Sequence, residues 1–174
     1  FIEDPCRLFR AIRFEQRFDF AMGKQAEAFM CSTIKKRLVN SLSGTRLFNE
    51  IKILLNEKRP IDCIRRMQGL ELFQFVSPEM LQAPKDLEVL ERLESVFAWA
   101  DRVITADKPD VWYVYFLGLF YSLKENAFFK AADRLHLPTR MKKSLQADRI
   151  HCRESLELLN SNKEWGPKEI YHAF

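Results

Sequence analysis

The chain of 174 residues is long enough for one domain or two small helical ones, and its 47% apolar content excludes a disordered protein. Five glycines without a Gly-rich loop, four scattered cysteines and three separated histidines argue against a phosphate loop, a disulfide framework and a metal site. No apolar run reaches the ~20 residues that a bilayer span requires, and the unpaired thiols fit a reducing compartment. These features predict a cytoplasmic protein that does not contact a membrane.

Positive charge is concentrated in the first part of the chain. Residues 1–66 contain fourteen lysines and arginines against eight acidic residues, whereas residues 67–174 contain fourteen against sixteen. A basic region favours a polyanionic partner such as RNA or a nucleoside triphosphate. The same excess also occurs on ordinary solvated helices, so it supports such a partner without deciding it.

The first predicted helix begins at Asp4, a good N-cap, followed by Pro5 in the first helical position, and it ends between Phe20 and Gly23. One side of this helix is apolar, and the other side is charged, with Glu3, Asp4, Arg7, Arg10, Arg13 and Arg17 on or beside it. Asp4 accepts hydrogen bonds and Arg7 donates them one turn later, a combination that suits the edge of a nucleobase. Glu3 is predicted to hold Arg7 by an ion pair. The alternative is a helix cap with a surface ion pair, which the chemistry alone favours.

The remaining sequence has helical periodicity throughout, and no segment alternates as a strand does. We therefore predict an all-α fold with no sheet. Further helices are expected over residues 24–39, 43–57, 61–67, 85–104, 109–121, 125–135, 139–159 and 167–174. In the third helix, capped by Ser43, Arg46 and Glu50 are four residues apart and are predicted to pair.

Three segments together resemble one known family. The pattern Glu-Asp-Pro-x-Arg-x-x-Arg-Ala-x-Arg-Phe at residues 3–14 resembles the fourth signature motif of the class II tRNA nucleotidyltransferases and bacterial poly(A) polymerases. Residues 43–55 resemble the Ser-Gly-x-Arg-x-x-x-Glu-x-x-x-x-Leu segment of that family, and residues 69–79 resemble its Gly-Leu and Pro-Glu region. Two positions depart from the family pattern: Cys6 replaces an aliphatic residue, and Thr45 stands where Glu is frequent.

The resemblance implies a neck over residues 1–69 and a helical body and partial tail over residues 70–174, without the catalytic head that precedes the neck in the family. It implies that Asp4 and Arg7 select the incoming ATP or CTP, that Glu3 orients Arg7, and that Arg10 reaches the phosphates. Arg46 and Glu50 would act through the neck helix without touching the nucleotide. Catalytic Mg²⁺ is expected in the absent head, and no cofactor or catalytic residue is expected in these 174 residues.

Basic residues outside the motif are weaker candidates for contact with a tRNA or another RNA 3′ end. They are Arg13, Arg17, Lys35, Lys36, Arg37, Arg140, Lys142 and Lys143. Lys35, Lys36 and Arg37 close a predicted helix, where positive charge also stabilises the helix dipole, and the two interpretations stay open. A non-catalytic RNA-binding module and a helical scaffold for protein partners are the alternatives to an enzyme. The sequence does not distinguish CCA, CC, single-A or poly(A) addition.

Overall fold

The computed structural model describes residues 3–103 and 109–160, and every regular element in these residues is helical. Eight α-helices follow in order: α1 (Cys6–Phe18), α2 (Lys24–Lys35), α3 (Gly44–Leu55), α4 (Pro60–Gly69), α5 (Pro84–Val103), α6 (Val111–Tyr121), α7 (Glu125–Arg134) and α8 (Thr139–Asn160). Two short 3-10 helices, Leu38–Ser41 and Leu72–Phe75, lie before α3 and after α4. The all-α prediction is confirmed. The helix predicted over residues 167–174 lies outside the described residues.

The chain forms two compact units, Phe1–Leu137 and Pro138–Phe174. The first contains α1 to α7, and α8 is the described part of the second. The predicted boundary between residues 69 and 70 falls inside the first unit, and the division into neck and body stays a prediction. None of the described helices combines the length and the apolar composition needed to cross a bilayer.

The core of the first unit is built around α1 and α3. Leu8, Phe9 and Ile12 recur at helical spacing on α1 and are at most 1% exposed. Their helix packs against α3 and α4, and α3 also packs against α4 and α6. Each buried side chain of this size stabilises the fold by roughly 1.5–3 kcal/mol. This burial fixes which side of α1 faces outward, and the outward side carries the arginines.

The end of α1 differs from the prediction. Asp19 adopts a left-handed conformation with φ 50°, and its N–H donates to the Glu15 carbonyl, which ends the helix at Phe18. Aspartate tolerates this conformation better than most residues with a side chain. The predicted terminator, Gly23, is instead the N-cap of α2. The early turn leaves Phe18 and Phe20 on the surface.

Candidate functional site

The N-terminal end of α1 holds a carboxylate in a fixed position. The Asp4 Oδ1 atom accepts a 3.2 Å hydrogen bond from the Cys6 N–H and a 2.9 Å bond from Nη2 of Arg46. Although α1 begins at Cys6, with Pro5 as its N-cap residue, Asp4 thus satisfies one of the free amides of the first turn. Arg46 comes from α3, so the position of this carboxylate depends on a helix 42 residues away in sequence.

The surroundings of Asp4 keep it ionised. Desolvation raises the pKa of this carboxyl, but the Cys6 N–H bond and the charges of Arg46 and Arg10 outweigh it, and the pKa lies below its ordinary value of 3.8. At neutral pH the group is therefore a negatively charged acceptor. It can bind a donor such as the exocyclic amino group of a base.

Arg7 lies one turn after Asp4 on the exposed side of α1. Its guanidinium makes no hydrogen bond or ion pair with any residue that the structure describes. The predicted Glu3–Arg7 ion pair is absent and that prediction is wrong: Glu3 precedes the first helical residue, so the two do not have the geometry of a helical i, i+4 pair. Within residues 3–103 and 109–160, Arg7 therefore has five donors available for a ligand.

The two predicted positioning residues of α3 both contact α1. Arg46 binds Asp4, and Glu50 pairs with Nε of Arg10 at 3.5 Å. The predicted pair between Arg46 and Glu50 is not formed, because each side chain reaches the neighbouring helix instead. Glu50 is only 9% exposed, whereas half of the Arg10 side chain is accessible. Arg10 therefore pairs with Glu50 through Nε while half of its side chain stays accessible to solvent.

Arg13 and Arg17 converge on one carboxylate that the sequence did not reveal. Glu57, just after α3, accepts hydrogen bonds from Nε and Nη2 of Arg17, and Nε of Arg13 lies 4.0 Å from it. These bonds raise the pKa of Arg17 above its ordinary value. Half of the Arg17 side chain is exposed while one edge of its guanidinium is fixed.

The other predicted basic residues lie in two places. Lys35, Lys36 and Arg37 are exposed at the C-terminal end of α2, and Arg37 has φ 54°, so the chain turns sharply there. Arg140, Lys142 and Lys143 lie in the first turns of α8, in the second unit. Contact of either group with RNA stays a prediction.

Arg66 holds α1, α2 and α4 together, and the sequence does not single it out for this role. Its guanidinium in α4 donates to Glu15 of α1 at 2.8 Å and to Glu27 of α2 at 3.1 Å. Desolvation lowers the pKa of Arg66, but these two partners outweigh it and raise the pKa. Residue spacing within a single helix cannot predict ion pairs that join side chains of three different helices.

The sequence also did not reveal the packing roles of Gly44 and Arg134. A Cβ atom at Gly44 would overlap the Arg134 carbonyl oxygen and lie 2.8 Å from the carbonyl carbon of Leu135. The Arg134 guanidinium donates to three backbone carbonyls, those of Val39, Leu42 and Phe75. The glycine of the second motif is thus needed for close packing of α3 against the end of α7.

A cleft of about 330 Å³ is lined by residues between 68 and 82, including Gln68, Glu71 and Gln74. None of the predicted site residues contributes to it, and its lining contains no lysine or arginine. Triphosphates require positive charge, so the cleft does not fit the nucleotide predicted for α1.

The described residues contain no group of three or more His, Cys, Asp or Glu side chains that could hold a metal ion.

Comparison with known proteins relates the chain to enzymes of tRNA maturation. Residues 19–83 match the family model described as the probable RNA and SrmB-binding site of polymerase A. An A-adding tRNA nucleotidyltransferase of Geobacter sulfurreducens is 37% identical over 159 residues, which are 91% of this chain and 18% of that protein. The chain thus spans less than a fifth of the length of this curated relative.

Solved structures share the helical arrangement. The apo form I of a CCA-adding enzyme superposes with a TM-score of 0.77 at 26% identity, over 94% of this chain and 38% of that one. A tRNA nucleotidyltransferase complexed with a primer tRNA and an incoming ATP analog gives a TM-score of 0.81 at 24% identity, over 99% of this chain and 50% of that one. The second likeness, at this identity, supports the fold.

Proposed function

We propose that this chain, which belongs to the family of the tRNA nucleotidyltransferases and poly(A) polymerases, recognises the incoming nucleotide in an enzyme that extends RNA 3′ ends. Asp4 and Arg7 select the base of ATP or CTP, Arg10 contacts its phosphates, and the helical units bind the RNA. The observation that supports this most is a carboxylate fixed by two hydrogen bonds, one turn from an exposed arginine with no described partner.

The chemistry of this pair suits an adenine or a cytosine. Both bases carry an exocyclic amino group, and an ionised Asp4 can accept a hydrogen bond from it. Both also carry a neighbouring ring nitrogen or carbonyl, to which Arg7 can donate a hydrogen bond. The base of GTP or UTP presents a carbonyl where the amino group would be, which would face the carboxylate as a second acceptor. The pair therefore selects by attraction and by repulsion together.

Arg46 and Glu50 are positioning residues in this proposal. Arg46 holds the Asp4 carboxylate, and Glu50 holds the Nε edge of Arg10. Neither needs to touch the nucleotide to affect its selection, because a displaced acceptor no longer matches the base edge. Glu3 is kept as a candidate nucleotide contact without its predicted role of orienting Arg7.

Catalysis is proposed to need residues outside this chain. In the family that the motifs resemble, the carboxylates that hold Mg²⁺ belong to a head domain, and the metal stabilises the triphosphate during transfer. We therefore expect the 174-residue chain alone to incorporate no labelled nucleotide into RNA. Measurable incorporation by the purified chain would contradict this. A cytoplasmic location is part of the same proposal.

Arg7→Ala in the complete enzyme tests base selection. A well-placed arginine contributes about 1–3 kcal/mol to discrimination between bases, so the preference for ATP and CTP over GTP and UTP should fall roughly 5- to 150-fold. The matched control is Arg59→Ala, which removes the same charge from an exposed side chain paired with Asp62. Unchanged selectivity in folded Arg7→Ala protein, or an equal loss in the control, would refute the proposal.

A further inference from the structure

Three phenylalanines lie exposed at the C-terminal end of α1, and we refer to Phe14, Phe18 and Phe20 as the aromatic row. Their exposed fractions are 40%, 64% and 49%, whereas Phe9 on the opposite side of the same helix is 1% exposed. Exposed apolar side chains are ordinary when scattered, but a contiguous group indicates a binding surface.

The rings of the row are nearly parallel. The Phe14 and Phe18 centroids are 6.0 Å apart at an interplanar angle of 26°, and those of Phe18 and Phe20 are 6.4 Å apart at 13°. Phe14 and Phe18 align because they are four residues apart on the helix. The left-handed turn at Asp19 then brings Phe20 beside Phe18. The row is therefore an extended aromatic surface and not a set of unrelated side chains.

Positive charge accompanies the row. Helix α1 contains four arginines and one glutamate. The Arg13 guanidinium carbon lies 5.2 Å from the Phe14 ring centroid, a cation–π distance. Glu57 occupies Nε and Nη2 of Arg17, and no other described residue bonds the two Nη1 donors of this guanidinium. Rings for bases and guanidinium groups for phosphates are the two parts of a surface that binds single-stranded nucleic acid.

We propose that the aromatic row stacks unpaired bases of a single-stranded RNA end, while Arg13 and Arg17 contact its phosphates. The charge beside the rings favours a polyanion over an apolar protein surface as the occupant. The proposal rests on the proposed function, because Phe14 and Phe18 lie on the same helix as Arg7, and Asp4 lies just before that helix. Arg7 and Phe14 are seven residues apart on α1, about 10 Å along the helix axis, so one strand can extend from the base-recognition end to the row.

Single-stranded hexaribonucleotides containing 2-aminopurine test the row with the 174-residue chain. The fluorescence of 2-aminopurine is quenched when the base stacks, so it reports stacking separately from charge. Phe18→Leu keeps the apolar volume and removes the ring, whereas Phe18→Tyr keeps the ring. We expect Phe18→Leu to weaken binding about tenfold and to abolish most of the quenching, and Phe18→Tyr to retain both.

Phe29→Leu is the matched control, since Phe29 is 53% exposed but belongs to α2 and has no ring contact with the row among the described residues. It should bind and quench as the unsubstituted chain does. If Phe18→Leu binds and quenches normally, or if the unsubstituted chain binds the RNA without quenching, the row does not stack RNA bases and the proposal is wrong. Quenching tests the row and discrimination among mononucleotides tests Asp4 and Arg7, so the two proposals can fail separately.

Discussion

The two motif helices of the first unit use their charged motif residues differently. Helix α1 buries one side and directs its charged side outward, so that Arg7 and Arg10 are accessible. Helix α3 buries Gly44, Leu47, Glu50, Ile51, Leu54 and Leu55. Its two charged motif residues form ion pairs at α1: Arg46 with Asp4, just before that helix, and Glu50 with Arg10. Motif residues of α1 are therefore available for ligand, whereas those of α3 stabilise the helix that presents them.

This comparison separates two kinds of defect. Substitutions in α3 and in the residues that hold it should first reduce the stability of the fold. Substitutions on the outer side of α1 should alter binding while the fold persists.

Gly44→Ala should destabilise the chain by about 3 kcal/mol, because its Cβ would overlap the backbone of α7 at Arg134. Urea unfolding followed by circular dichroism measures this. Gly69→Ala is the control, since a Cβ there meets no atom within 4 Å. Equal stability of the two variants would show that α3 does not need this close approach.

Arg134→Met should cost about 2 kcal/mol, because the carbonyls of Val39, Leu42 and Phe75 lose their donor. Two of these carbonyls lie just before α3, so the loss acts on the start of that helix. Lys130→Met, an exposed change on the same helix, should shift the unfolding midpoint little. A matching loss in the Lys130 variant would assign the effect to charge and not to these hydrogen bonds.

Glu50→Gln should cost about 0.5–1 kcal/mol, since Arg10 is half exposed and its pair with Glu50 is partly screened. In the complete enzyme the KM for ATP should rise more than kcat falls, because the role of Glu50 is to position Arg10. Glu88→Gln, on the exposed side of α5, is the control. A change in stability without any change in KM would limit Glu50 to a structural role.

The smallest expected effect is the pH dependence contributed by Asp4. Its folded-state pKa is depressed below 3.8, so its stabilising contribution is present above the unfolded value and is lost as the pH falls through the folded pKa. The stability difference between the unsubstituted chain and Asp4→Asn should therefore disappear in acid. A difference that stays constant from neutral pH into that range would show that the carboxylate charge is not its source.

Local patterns predicted much of this arrangement. The predicted starts at residues 43 and 61 lie within one residue of the observed starts of α3 and α4, because the Ser43 cap and the first turn of α4 are local features. The end of α1 was predicted too late, since Asp19 supplies the left-handed residue that is more often glycine. The conformation of this one residue thus sets where Phe20 lies relative to Phe18.

Contacts between residues far apart in sequence could not be predicted from local patterns. Spacing along α3 suggested that Arg46 would bind Glu50, but its partner is Asp4, which no helical period relates to it. Glu57 and Arg66 joined the site only through the packing of α1 against its neighbours. The charged pair proposed to face the ligand followed from spacing within one turn, whereas the residues that hold Asp4 did not.

An NMR titration of the 174-residue chain with ATP, CTP, GTP and UTP measures whether Asp4 and Arg7 recognise the base. We expect ATP and CTP to shift the Cys6 amide and the Arg7 Nε–H signals most, GTP and UTP to shift them less, and Asp4→Asn to remove this preference. Largest shifts at residues away from the start of α1, or equal shifts with all four nucleotides, would show that Asp4 and Arg7 do not recognise the base.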